Sequence, residues 1–529
     1  MKPSLRKHIA TALAALMLAG AMTGCGNTPA SESGTSSQAG SQSTASDQVS
    51  SGAEDASLDE VTLKIYFAGD TPAHVEEVWQ NVEELSKDEL NAKFDVTFVP
   101  GGDYADKMQL QFASGDDFDI YFDANWIALP TMLKNGVLMD VDSLMDQYAP
   151  NLKAYLEDEG VLEWAYVDGK LMCVPFDNPS TSRAYVTYRE DLREKYDLPE
   201  KMETIEDIEN YLEVVTANED ILPINNIIGS VMWDNAMNAM STKYSLDSQF
   251  GSSNFDITYV LTDETVTVVP LEQTDAFMEA SQIRRRWYEK GWIPSNAMND
   301  TETVNGIDEG KYACTIRWTE DAYKPLTGPG EKGACMLYPD SVCAQNNSLS
   351  NVIGFNKNAA NPERAMMFLE WMNASQENYD SVLYGIEGTT YVLEEDENGN
   401  QSFMYPEGEN AQNGYLDWSG RWAFWRDQWR RPGFELSQEL IEKNREDLDY
   451  ENNIKSPMAG FTFDTDPVKE ELANRQAVMD EYGKMLQYGL QEDVEAAVAD
   501  YIDRMEVAGT DKIVEELQRQ VDEFLAAKE

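Results

Sequence analysis

Between residues 61 and 123 the apolar positions switch between two periods. Val61-Thr-Leu-Lys-Ile-Tyr-Phe67 alternates at period two with β-branched and aromatic residues, which predicts a first strand. Thr71-Pro72 has the order of an N-cap followed by a first helical residue. Val75, Val78, Trp79, Val82 and Leu85 then recur at helical spacing and predict a core-facing stripe. Residues 94–99 predict a second strand, and 108–113 lie in a second helix. Ser114-Gly115-Asp116-Asp117 reads as a tight turn, and 118–122 as a short apolar third strand. This β-α-β-α-β order predicts a largely parallel sheet covered by helices.

Ligands of open α/β sheets bind outside the carboxyl ends of the strands. Asp123 and Trp126 follow the third predicted strand and fall at that edge. A hydroxyl acceptor beside a broad aromatic face suits a sugar-sized ligand. The plain alternative is a solvated loop whose Trp packs on its own lobe.

With 529 residues, 42% hydrophobic, 12 Trp and 25 Tyr, the chain can build two or more domains with a sizeable core. Its formal charge of −56 repels nucleic acid and anionic lipid head groups, which excludes nucleic-acid binding. Lys2, Arg6 and Lys7 precede an apolar run from residue 9 to 21 that is too short to span a bilayer. Met22-Thr-Gly-Cys25 follows, and resembles a bacterial lipoprotein signal with lipid added to Cys25. Met22 stands where Leu is usual. Residues 1–24 are thus expected as a signal peptide, with an ordinary secretory signal as the alternative. Residues 25–57, rich in Ser, Gly, Ala, Thr and Gln, are expected as a flexible tether. The body would then sit on the extracytoplasmic face of the membrane, lipid-anchored and monomeric. An exported location permits disulfides; Cys335 and Cys343 are the pair considered, with Cys173 and Cys314 as buried thiols.

Further along, Asn135-Gly-Val-Leu-Met-Asp…Tyr148 and Val167-Asp-Gly-Lys-Leu-Met-Cys-Val-Pro175 join Ser114-Gly115-Asp116 and Asp119-Ile120 in a pattern. So do Tyr188-Arg-Glu-Asp-Leu…Pro199, Gly310-Lys-Tyr-Ala…Trp318, the segment from Ile353 to Met372, Tyr384-Gly-Ile-Glu-Gly-Thr-Thr-Tyr391, and the segment from Asp511 to Phe524. The ordered set resembles the extracellular solute-binding lipoproteins of carbohydrate ABC importers, over about residues 60 to 528. Met172-Cys173 replaces the family's usual Tyr-Gly. The resemblance implies a periplasmic-binding-protein-like type II fold, two α/β lobes joined by a hinge with the ligand cleft between them. The lobes are expected at 58–178 plus 331–374, and at 179–330 plus 375–529. It further implies hinge closure on a sugar and docking of the closed form on membrane permease subunits. The helix after Asn361-Pro362 is legible without the family, with Ala365, Met366, Phe368, Leu369 and Met372 facing the core.

Enzyme chemistry is poorly supplied. Beyond the first 24 residues the one histidine is His74, and no P-loop, dinucleotide fingerprint or H-E-x-x-H occurs. Glu394, Asp396, Asn398 and Gly399 imitate an EF-hand start, but Tyr405 holds the twelfth position, so a polar hairpin turn is expected there. No cofactor and no metal are expected. Paired carboxylates could still serve a glycoside hydrolase, and the cleft could take a peptide or another solute. For sugar binding, the expected contacts are Asp70, Asp123, Trp126, Asp177, Trp233, Arg317, Trp318, Glu387, Tyr391, Trp418 and Arg421. Trp126 and Trp318 are expected as stacking platforms from opposite lobes, with core packing as the alternative. Trp425 and Trp429 are expected to be buried, and Glu387 could instead hold the Gly385–Gly388 turn.

Overall fold

The computed structural model describes residues 58–528 apart from 168, 178–179, 226–233, 249, 251–255, 294–306, 308, 319–325, 327, 347–348, 396–400 and 434–437. The proposed signal peptide, Cys25, the tether and Trp233 lie outside the described residues, as does the side chain of Trp318. Residues 58–529 form one compact unit. No described helix is long and apolar enough to cross a membrane.

The first lobe is built on a five-stranded sheet in the order Ala92–Val99, Val61–Ala68, Ile120–Asp123, Val352–Phe355, Cys173–Pro175. The first three strands run parallel, as their helical crossovers require, and Val352–Phe355 is antiparallel to both neighbours. Ile120–Asp123 and Val352–Phe355 are buried at every position, because helices cover both faces of the sheet.

The helix Val75–Leu90 begins later than Thr71-Pro72 suggests. Its N-cap is His74, in a left-handed conformation with φ 59°. Its buried face is Val78, Trp79, Val82, Ser86 and Leu90. Leu85 is left 41% exposed. The stripe drifts because 3.6 residues per turn carries the face from position 85 to 86. In the helix Pro362–Met372, all five expected core residues are buried. Asn361, however, does not cap with its side chain; its own backbone N–H donates to Asp119 Oδ1 at 2.6 Å.

The second lobe carries a four-stranded sheet in the order Lys332–Met336, Ala184–Arg189, Tyr312–Trp318, Leu222–Ile224. The helices Ile205–Asn218, Asn235–Lys243, Asp275–Glu289 and Val494–Val507 pack on it in a second apolar core. A third cluster seats the closing helix Thr510–Lys528 through Ile513, Leu517 and Val521 against Phe250, Tyr259 and Phe461.

The chain passes between the two cores three times, at 176–183, 338–351 and 425–457. The three passages meet in one short sheet in the order Asn453–Lys455, Cys343–Asn346, Ser180–Thr181. The expected lobe boundaries shift accordingly. Residues 379–424 pack in the first core through Tyr379, Val382, Tyr415, Trp418 and Phe424. Lys332–Met336 belongs to the second sheet, since it pairs with Ala184–Arg189 before the chain returns. The Cys335–Cys343 disulfide is not formed. Both thiols are free, on strands of two different sheets.

Asp177 stands on the first passage, not in the cleft. It is buried, accepts from Tyr155 Oη and, at 2.8 Å, from the Asp427 backbone N–H, and faces Arg426. Burial holds its carboxyl above the usual range of 3.8, with the opposing pull of Arg426 the smaller effect. The folded protein keeps this proton at pH values where the unfolded chain has lost it. The stability so gained is complete below about pH 3.8 and disappears as pH rises through the raised pKa. The protein is therefore expected to resist urea better at pH 5 than at pH 8. Asp177→Asn should flatten that difference, and an unchanged slope in the folded variant would show that Asp177 titrates normally.

Candidate functional site

The carboxyl ends of Val61–Ala68 and Ile120–Asp123 open onto a group of aromatic and acidic residues. At the end of the third strand Asp123 is fully buried. It accepts from Tyr121 Oη at 2.7 Å and from the backbone N–H groups of Ala124 and Ala128 at 2.8 and 3.1 Å. Burial raises its carboxyl to about 6, and the hydrogen bonds oppose that rise. Its acceptors are spent on the turn that follows, so it positions the site instead of touching a ligand. The Ala128 N–H it meets would otherwise be unpaired just before the helix Leu129–Lys134.

The turn held by Asp123 presents Trp126. Its indole Nε1–H donates to the Ser350 carbonyl at 2.7 Å, and Asn125 N–H donates to Leu349 O at 2.9 Å. The ring is thus fixed to the second interlobe passage, while the side chain stays 55% exposed. Its centroid lies 6.3 Å from that of Phe122, and the Trp422 centroid lies 6.0 Å from the same ring. Trp422 is half-buried and was missed as a site residue. Trp418, Trp422, Trp425 and Trp429 mark 418–429 as an aromatic segment, but their spacing does not say which one faces outward.

Two glycines bring that segment onto the strand ends. A Cβ at Gly69 would stand 2.6 Å from Ser419 Cβ. At Gly420, where φ is +93°, a Cβ would meet Phe67 at 3.0 Å and Phe122 at 3.2 Å. Trp418 is consequently core, packed edge-on against Phe67 at 4.9 Å, and not a ligand contact. Arg421 is also buried; it pairs with Asp417 at 2.6 Å, donates to Trp418 O at 3.0 Å and lies over the Trp422 ring. It stiffens the wall without offering a free guanidinium. Asp70 is exposed, one residue beyond Gly69, and remains on the rim with Asp417.

The remaining expected contacts divide. Tyr391 is buried against Tyr384 at 5.9 Å and is core. Glu387 is exposed on the same turn, which the Thr390 hydroxyl holds by donating to Tyr384 O and accepting from Ile386 N–H, both at 2.7 Å. That hydroxyl does the job considered for Glu387. Arg317 is half-buried near the end of the second-sheet strand, paired in register with Tyr185. Trp425 and Trp429 are half-buried against the first core, with Arg430 stacked 3.9 Å over Trp425. Strands Val392–Glu395 and Gln401–Met404 pair antiparallel, so both ends of the imitation EF-hand are committed to a hairpin.

A family model described as bacterial extracellular solute-binding protein matches residues 68–379, more than half of the chain. The chain belongs to that family. A second model, described as a domain of unknown function, matches residues 457–526. A carbohydrate ABC transporter substrate-binding protein of Streptococcus pneumoniae is 24% identical over 494 residues, covering 89% of this chain and 92% of the relative. Among solved structures, the N-glycan transport solute binding protein NgtS of S. pneumoniae superposes with a TM-score of 0.73 at 21% identity, covering 88% of this chain and all of that one. The S. pneumoniae protein FusA, in complex with kestose, gives 0.61 at 17% identity, covering 88% and 100%. The fold is therefore the two-lobed α/β type II arrangement of solute-binding proteins.

Gly420→Ala tests the wall. A methyl group there meets two rings and a left-handed backbone, which should cost about 1–3 kcal/mol in urea unfolding. A wild-type stability for this variant would contradict the close approach of the 418–422 segment.

Proposed function

We propose that this protein captures a neutral oligosaccharide between its lobes and delivers it to the permease of an ABC importer. Lipid on Cys25 and the tether to residue 57 would hold it at the outer face of the cell membrane. The observation that carries the reading is the Trp126 face, more than half exposed yet pinned at Nε1, on a Phe122 ring that Trp422 also packs against. A fixed aromatic plane costs little entropy on binding and matches the apolar C–H face of a sugar ring. Asp70 and Asp417 on the rim are hydroxyl acceptors. Similar structures support a glycan: NgtS is in complex with Man1GlcNAc and FusA with kestose.

The charge around the site favours a neutral sugar. Arg421 is already neutralised by Asp417, Asp70 adds an exposed carboxylate, and the chain carries −56 overall. On this first-lobe wall a uronate or sialylated chain would meet that field unpaired. Trp318 and Trp233 remain the proposed contacts from the second lobe, together with Arg317. Closure follows from a ligand that touches both lobes only when they approach, so binding favours the closed state that docks on the permease. The protein acts in this reading as a receptor without catalysis.

Calorimetric titration against neutral manno-, fructo- and gluco-oligosaccharides should give micromolar or tighter binding, with the sugar recovered intact. Uronate oligomers of equal length should bind at least about tenfold more weakly. Trp126→Ala should lose roughly tenfold or more in affinity, about 1.4 kcal/mol, with its melting temperature nearly unchanged. Unchanged affinity in that variant would remove Trp126 from the site. Release of shorter sugars would replace the receptor by a hydrolase, and heat from peptides alone would replace the ligand class.

A further inference from the structure

Arg183 reaches all three interlobe passages. It ends the first passage, is fully buried, and directs its guanidinium into the other two. Nη1 donates to Tyr338 O at 3.0 Å and Nη2 to Ser341 O at 2.7 Å, both on the second passage. Nε and Nη2 each donate to Asn453 Oδ1 at 3.2 Å, on the third. The Tyr450 ring of that passage lies under the guanidinium, 5.1 Å from its carbon. Asn453 is itself oriented, because its Nδ2 donates to Asp447 O at 2.7 Å, which leaves its oxygen facing Arg183.

The backbone pairing between the passages is short. Ser180–Thr181 pairs with the middle strand at two positions, and Asn453–Lys455 at three. Pairings of that length are weak on their own. Three separately flexing tethers would let the lobes twist as well as bend. A planar fork bonded to two of them, from a residue on the other, makes them move together. A lysine ammonium, a single point on a flexible stem, does not reproduce the planar fork that reaches both passages.

We propose that Arg183 is the clasp that makes the three passages bend as one hinge, and so a positioning residue for ligand capture. It acts by limiting the lobe orientations open to the unliganded protein, which reduces the ordering cost of closure. Its effect on affinity rests on the reading that ligand is captured between the lobes; its effect on lobe orientation does not.

The test is a distance distribution between the lobes. Leu110 and Leu222, 62% and 48% exposed on different lobes, are replaced by spin-labelled cysteine, with Cys25 and Cys335 changed to serine. Electron–electron resonance on the unliganded full chain should show a broader distribution for Arg183→Lys than for wild type. Asn453→Ala, which leaves both carbonyl bonds of Arg183 in place, should broaden it less, and the double variant no more than Arg183→Lys alone. If Arg183→Lys does not fold, Asn453→Ala carries the test by itself. A wild-type width in the folded variants, or broadening that simply adds, would overturn the clasp. The neutral oligosaccharide that wild type binds should lose about fivefold or more in affinity for Arg183→Lys; broadening without that loss would overturn the positioning role. Broadening where wild type binds no oligosaccharide would support the clasp and sink the sugar reading.

Discussion

Two separate apolar cores on one chain must be joined by backbone that crosses open ground, and backbone N–H and C=O groups there need partners. The structure meets this constraint by gathering all three passages into one short sheet and filling its flank with Arg183. The buried positive charge is surrounded by carbonyl and amide oxygens, which is what makes its burial tolerable. Everything functional hangs from this arrangement. The second passage fixes the Trp126 indole through Ser350, and the third leads away from the wall that carries Trp422.

At the site, side chains that look suited to ligands mostly serve the scaffold. Asp123 organises the turn under Trp126, Arg421 and Asp417 neutralise each other, and Asp177 ties the first passage to the third. This follows from desolvation: a carboxylate or guanidinium at a strand end is cheaply buried only if the protein supplies its partners. What remains open to solvent is an aromatic plane and a few rim carboxylates. That composition suits a neutral, hydroxyl-rich ligand held by stacking and hydrogen bonds better than one held by charge.

The first lobe was largely legible in the sequence, because period-two and helical-period stretches alternate cleanly from Val61 to Asp123 and the Asn361-Pro362 helix shows its apolar face. The third passage was not legible. The 425–457 segment has no marked apolar period, and its partner Arg183 lies 270 residues away from Asn453. Nor could sequence separate Trp126 from Trp418. Both are tryptophans beside glycine-rich or acidic turns, and only the approach of Gly420 to Phe67 and Phe122 puts one in the core and leaves the other outside. An exported location makes a Cys335–Cys343 disulfide permissible, yet the turn between them sends the chain from one sheet into another.

Capture between two lobes on one hinge makes a direct demand on shape. Small-angle X-ray scattering of the protein, alone and saturated with the oligosaccharide it binds most tightly, measures it. The account predicts a smaller radius of gyration and a shorter maximum dimension in the saturated protein. An identical scattering curve at verified saturation would contradict closure, and would leave a sugar-binding face without a moving partner.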